Sequence, residues 1–334
     1  MPSANVAFPG GPMPLTRLNP WYPGQFGVPG TDNETGLRMH CTGAVFWVDP
    51  NFPGVSDLRD GTNPTNPLET VGAAQALCQP YRGDTIAVMA NNNWIYGDTS
   101  LGYATTITES VTVTVPGVKI VGVSPSSAIG VYWDPAAAGG TAITVQASDV
   151  LIEGFAFMGF GTNETAIHAE WNGDTYGDIM TVRNCYFEGG NQGLDNGITL
   201  DYSWYHDIHN NFFDECLVYG IYNAAADSDS AYLRIHHNQF HDIGTTAIML
   251  PDGDRCEIYE NSFYNVNAAT GVAAPDAFID TGSGAGSRNF VHNNKLSCAL
   301  GAGAGGYDNT CSASGTDAWV QNFCLNGPTV GNPL

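Results

Sequence analysis

The stretches Asp207-Ile208-His209-Asn210-Asn211-Phe212-Phe213-Asp214, Arg234-Ile235-His236-His237-Asn238-Gln239-Phe240-His241 and Glu257-Ile258-Tyr259-Glu260-Asn261-Ser262-Phe263-Tyr264 are copies of one pattern. An aliphatic residue stands five positions before an aromatic one, and an asparagine stands two positions before the aromatic. Six copies keep the spacing of five: Ile152 with Phe157, Val182 with Phe187, Ile208 with Phe213, Ile235 with Phe240, Ile258 with Phe263, and Val291 with Leu296. They recur 30, 26, 27, 23 and 33 residues apart, too irregular for a helical array but natural where loops of variable length join fixed short strands. The last four carry Asn211, Asn238, Asn261 and Asn294 at one register, where Phe155 and Cys185 stand in the two before. Asparagines stacked at one turn position hydrogen-bond rung to rung and satisfy turn backbone that would otherwise be buried unpaired.

A second string recurs once per copy: Ala142 to Val145, Ala166 to Ala169, Gly197 to Leu200, Gly220 to Asn223, Ala247 to Leu250 and Ala277 to Asp280. Each repeat therefore holds at least two strands. A strand recurring once per turn stacks in parallel on its neighbour about 4.8 Å away. The expected architecture is all-β, a right-handed single-stranded parallel β-helix in which each coil alone buries too little to be stable. Upstream, 111–123 reads as a preceding coil with Val118, Ile120 and Val123 inward, and 83–88 as a first strand. Residues 70–77 read as a short helix capping the first coil against edge-to-edge pairing.

Composition agrees. The 334 residues include 41 Gly and 19 Pro, high for a helical protein, and only 13% are charged while 43% are hydrophobic, so the chain folds. Its net charge of −23 argues against nucleic acid and anionic membranes as partners. No apolar run approaches the roughly 18 residues of a membrane helix, and the Pro-rich first twenty residues lack the pattern of a secretory signal. Export by that route is not expected. The eight cysteines then read as cytosolic thiols, Cys216 and Cys256 in core columns, with a late disulfide open to Cys298, Cys311 and Cys324. The triplets beginning at Asn33 and Asn163 match glycosylation sites but are idle without secretion.

Four boundaries follow: a Pro/Gly-rich N-terminal arm over 1–44, a cap with first coils over 45–115, coils over 116–299, and a C-terminal cap or tail over 300–334. The arm carries Trp21, Tyr22 and Phe26, suited to lying extended on another subunit. Gly301 to Gly306 and Ala318-Trp319-Val320 are expected to close the last coil.

The motifs Asp60-Gly61-Thr62, Pro67-Leu68-Glu69-Thr70, Ala73-Ala74-Gln75-Ala76 and Gly83-Asp84-Thr85-Ile86, followed by coils, resemble right-handed parallel β-helix proteins of the pectate-lyase-like class over about residues 46 to 297. The opening Val45-Phe46-Trp47-Val48-Asp49-Pro50-Asn51-Phe52-Pro53-Gly54, then the cap, 115–123 and 143–155, are most similar to β-helix proteins of bacteriophage virions. The motifs are specific for the fold and weak for function, since the class includes lyases, hydrolases, surface proteins and tailspikes.

The resemblance makes polysaccharide cleavage a hypothesis to test on outward positions. The third position of the second string reads Thr144, His168, Thr199, Tyr222, Met249 and Ile279, with no carboxylate. The acids and arginine of pectate lyases and the strings of polygalacturonase-type hydrolases are missing, Arg234-Ile235-His236 being a partial echo. Arg183, Arg234, Arg255 and Arg288 are few for gripping an acidic glycan. Just after the strand, Glu170 and Asp201 are stacked neighbours, and carboxyls about 5 Å apart suit a retaining glycosidase. His168, Trp171, Tyr202 and Trp204 could supply a sugar platform. Glu188 with Asp214, and Glu215 with Asp242, are acidic neighbours of the same kind on an acidic surface.

The register Glu153, Arg183, His209, His236, Tyr259, His292 reads as a mixed polar face with stacking, and His241 falls near Asp214. No metal site is assigned there, because three or four convergent ligands are needed. Asp227-Ser228-Asp229 and Asp252-Gly253-Asp254 could hold structural calcium at turns but lack EF-hand spacing; no other cofactor is expected. The leading expectation is a non-enzymatic phage virion protein, made in the host cytoplasm, decorating a capsid or forming part of a tail or fibre. It would meet other virion proteins through its arm and assemble as a homo-oligomer such as a trimer. A tailspike-type hydrolase or lyase is the alternative, and a carbohydrate-binding adhesin on host-surface glycan the next.

Overall fold

The computed structural model describes residues 43–89, 106–123, 131–159, 161–171, 177–190, 193–202, 204–223, 230–264, 277–281, 288–297 and 317–324. These wind as a right-handed parallel β-helix. Each full coil gives one strand to each of three parallel sheets, which have ten, seven and nine strands among the described residues. The first sheet holds Leu151–Glu153, Thr181–Arg183, Asp207–His209, Arg234–His236, Glu257–Tyr259 and Phe290–His292. The second holds Thr141–Val145, Glu164–Ala169, Leu194–Leu200, Tyr219–Asn223 and Thr246–Met249; the third holds Phe155–Met158, Tyr186–Glu188, Phe212–Asp214, Gln239–His241 and Ser262–Tyr264. Among the described residues no helix is long and apolar enough to cross a membrane.

The repeat aligned on the sequence is the register of the coils. Ile152, Val182, Ile208, Ile235, Ile258 and Val291 pair in succession in the first sheet. Phe157, Phe187, Phe213, Phe240, Phe263 and Leu296 do so in the third. The phenylalanines stack face to face inside, with centroids 4.5 Å apart between Phe187 and Phe213 and 4.7 Å between Phe213 and Phe240. This explains the small residues of the second string: a Cβ on Gly197 would lie 2.7 Å from the Phe213 ring, and one on Gly220 2.8 Å from Phe240.

Between first-sheet and third-sheet strands, one residue with positive φ turns the chain: Gly154, Asn184, Asn210, His237, Glu260, Asn293 and Gln321. Side chains other than Gly or Asn tolerate this region poorly, at about 1 kcal/mol or more each. The next residue offsets that cost. Asn238 Oδ1 accepts from both the backbone N–H and the Nδ2 of Asn211, each at 3.0 Å. Its own Nδ2 donates to Ile208 O at 2.8 Å and to Asn261 Oδ1 at 3.1 Å. Asn261 and Asn294 repeat this. All four amide bonds of a buried asparagine are thereby made, leaving no orphan in a dry corner.

The ladder runs one rung beyond the four expected, to Asn322, which is buried and accepts from Asn294. It belongs to a further coil rather than to a closing tail: Ala318–Val320 pairs with Phe290–His292, and Phe323–Cys324 with Lys295-Leu296. At the other end, Val45–Val48 pairs with Thr85–Met89, so the described coils begin one rung before the strand at 83–88. The short helix Val71–Leu77 packs there, with Thr70 Oγ1 accepting from Ala73 N–H and Glu109 accepting from the Val71 and Gly72 N–H groups. Trp21, Tyr22 and Phe26 lie outside the described residues.

One register differs from the sequence reading. Ile248 pairs with Ile279 and Met249 with Asp280, so Ile279 points inward, almost fully buried, and a carboxylate takes the outward position assigned to it. Phe278 then occupies the slot of Ala247, tilted against Phe263. Ala277 itself pairs with Thr246, one position before the slot of the small residue.

Candidate functional site

Outward side chains fall into three files, one per sheet. On the second sheet, Thr144, His168, Thr199 and Tyr222 pair in succession. His168 is the centre of this face. Its Nε2 lies 2.9 Å from Asp201 Oδ2, and its Nδ1 lies 3.6 Å from Glu170 Oε2. The stacked carboxylates are thus joined through one imidazole. Gln146 on the preceding coil donates to Glu170 Oε1, and Trp171, exposed, meets Tyr202 edge-on at 5.6 Å. Trp204 lies on the following turn, where its N–H donates to Asp178 and its backbone bridges to Ala231.

On the first sheet, Glu153, Arg183, His209, His236, Tyr259 and His292 share one file. The rings of His209, His236, Tyr259 and His292 stack with centroids 4.9, 4.7 and 5.1 Å apart. Charge is closed within the file and its neighbours. Arg183 pairs with Glu153 at 3.1 Å. Asp207 faces His236 at 2.9 Å and Arg234 at 3.3 Å, and Arg234 donates to the Tyr259 hydroxyl at 2.7 Å. Burial opposes ionisation of Asp207, yet the His236 hydrogen bond and the charges of His209, His236 and Arg234 outweigh it and hold the carboxyl below its usual range.

On the third sheet, Glu188, Asp214 and His241 are in register. Asp214 accepts from Tyr186 at 2.9 Å and contacts His241 Nδ1 at 2.7 Å. Burial, reinforced by Asp214, Glu188 and Asp242, pushes Glu215 up. Asp252 to Asp254 form a turn whose Gly253–Asp254 strand pairs with Ser230–Ala231; Asp227 to Asp229 lie outside the described residues.

The sequence reading passed over His206, which stands in the inner column beside Met180 and Leu233 and is fully buried. Its Nδ1 accepts the Met180 N–H at 3.0 Å, which leaves the proton on Nε2, an atom without a partner. Burial pushes its pKa down to about 3. The same column holds Cys256, whose thiol burial pushes up to about 12; Cys185, behind the asparagine ladder, is shifted likewise. Cys216 is fully buried too.

The chain is similar in fold to a lacto-N-biosidase of Eubacterium ramulus, at 11% identity and a TM-score of 0.48, covering 84% of this chain and 56% of that one. A pectate lyase is similar at 14% identity and a TM-score of 0.48, over 91% of this chain and 74% of the other. The ORF18 protein of Geobacillus virus E2 is similar at 12% identity and a TM-score of 0.40, over 86% and 63%. No curated protein matches the sequence. The family described as periplasmic copper-binding protein (NosD) matches residues 91–297, more than half of the chain, and the chain belongs to that family.

Proposed function

We propose that this protein is a structural component of a bacteriophage particle, a rigid β-helix on a capsid or tail, joined to its neighbours by the 1–44 arm and assembled as a homo-oligomer. The observation that carries the reading is the closure of the polar groups. Inside, the asparagine ladder and ring stacks are saturated; outside, most charged groups of the first and third sheets meet partners in their own files. Such a surface favours stiffness and breadth over reactivity. The sequence resemblance at 45–54, 115–123 and 143–155 supports the particle as its setting. Purified particles should contain the chain in stoichiometric amount, and deletion of residues 1–44 should abolish its incorporation; incorporation of the truncated chain would remove the role of the arm.

Copper, in the family's name, would need convergent nitrogen or sulfur donors. Among the described residues no group of three or more His, Cys, Asp or Glu is placed to hold a metal ion, and Cys78, Cys185, Cys216 and Cys256 are buried as thiols. These residues do not fit a copper centre, and no role is derived from one.

A second reading rests on His168. An imidazole bridging Glu170 and Asp201 beside Trp171 and Tyr202 is a site where a glycan could be held, and where paired carboxyls could act as acid and base. Release of reducing ends from host-surface polysaccharide, reduced about 10²–10⁴-fold by Glu170→Gln or Asp201→Asn, would establish cleavage. Unchanged release in both variants would exclude these residues.

A further inference from the structure

Resting on that second reading, we infer that the second-sheet face around His168 and Asp201 selects glycans bearing free amino groups and rejects polyuronates. Two independent observations carry this. The first is charge. None of the described strands of the second sheet contains a Lys or Arg, whereas Glu170, Asp195, Asp201 and Asp280 lie on or beside them. Arg183, on the neighbouring sheet, is already paired with Glu153. A uronate carboxylate laid here would meet like charge with no Lys or Arg on the described strands to answer it, and the His168 ring is already engaged by Glu170 and Asp201.

The second observation is the hydrogen-bond balance along one strand and its exit. Asn196 Oδ1, Thr199 Oγ1 and Asp201 Oδ1 all lack a donor, and each is withdrawn from water. All three can accept. Their residues are paired on the preceding coil with Thr165 and His168, or follow directly on that strand, so they belong to the surface that carries the imidazole. An acceptor without a donor gains a bond from an incoming N–H once its side chain turns to meet it, without first losing one. Asp201, partly exposed and tied to His168 through Oδ2 alone, can turn its free oxygen outward to meet an ammonium group. The bond to a charged donor is the stronger kind. Trp171, exposed beside it, offers an apolar surface to a sugar ring.

The test is titration calorimetry of the full chain at low salt with three probes: a glucosamine hexamer, its fully N-acetylated counterpart and a galacturonate hexamer. The glucosamine oligomer should bind saturably, at least about tenfold more tightly than the acetylated one, and lose that advantage with added salt. Galacturonate should not bind. Asp201→Asn should remove the advantage of the free amine while leaving the thermal unfolding midpoint close to that of the parent chain. Thr199→Val provides a second, uncharged change on the same surface and should weaken binding of both aminated and acetylated oligomers. Equal binding of the two oligomers would overturn the amine preference and leave the glycan face standing. Tighter galacturonate binding would overturn it with opposite sign. Binding unmoved by either variant would place the ligand elsewhere, and no binding by any probe would overturn both this inference and the glycan reading beneath it.

Discussion

Asn238→Ala should lower unfolding stability by about 3–5 kcal/mol, a loss measured as a drop in urea midpoint with little change in the denaturant slope. The size follows from counting what is stranded. Asn238 Oδ1 serves the N–H and the Nδ2 of Asn211, and its Nδ2 serves Ile208 O and Asn261 Oδ1. Each buried group left without a partner costs about 1–3 kcal/mol, and part of this is recovered if water enters the gap. Asn238→Asp is nearly isosteric yet should also destabilise, because the introduced carboxylate would turn an acceptor oxygen toward Asn261 Oδ1, where the native amide donates. Asn322→Ala, on the last described rung, strands three such groups rather than four, the Asn294 N–H, the Asn294 Nδ2 and Val291 O, and should cost correspondingly less. Equal losses at Asn238 and Asn322 would mean that the rungs act independently of their neighbours.

Acid should weaken the protein through His206, at about 1.4 kcal/mol per pH unit between pH 6 and pH 3 for that group alone. The folded state holds the imidazole neutral, with its pKa pushed down to about 3 by burial, whereas the unfolded chain titrates near the ordinary value of 6.5. As pH falls through that window the unfolded state takes up a proton that the folded state refuses. The contribution is therefore complete above about pH 6.5 and is lost as pH approaches 3. His206→Asn should flatten the slope. Asn289, lower in the same column, shows that an asparagine works there: its Oδ1 accepts the Cys256 N–H at 2.9 Å, and its Nδ2 donates to Gly253 O at 3.0 Å. Between pH 7 and pH 4 the urea midpoint of the parent chain should fall more steeply than that of the variant. Parallel lines would show that His206 is not the group responsible.

Much of the coil was legible because a β-helix writes its geometry as repetition: the spacing of five and the asparagine register are the alignment of the strands. The last coil was missed because its chemistry changed while its spacing did not. Trp319 stands for the aliphatic residue and Cys324 for the aromatic, with Asn322 in the ladder position, so the same frame was present under other side chains. The outward file of the second sheet slipped at Asp280 because Ala277 satisfied the small-residue rule one position early. At the candidate site, stacking alone placed Glu170 beside Asp201, but the direction of the His168 ring between them depends on side-chain torsions that a register does not specify. His206 was hidden for a related reason. The Asp207-Ile208-His209 strand marks its own alternation of faces, and the residue just before it belongs to a turn whose inward direction shows only when the whole column is assembled.

The amides of Asn211, Asn238, Asn261 and Asn294 each give one Nδ2 hydrogen to the side-chain oxygen of the following rung and the other to a carbonyl of the preceding coil, and none runs the other way. The rod therefore has a chemical direction, and any one circuit can be replaced by another that offers an oxygen behind and a hydrogen ahead. Gain or loss of an entire circuit would leave every remaining side chain on its own face, whereas loss of a single residue within 207–214 would turn the rest of that strand inside out. Length in such a molecule is quantised, so relatives of different reach should differ by whole circuits and retain the same two ends.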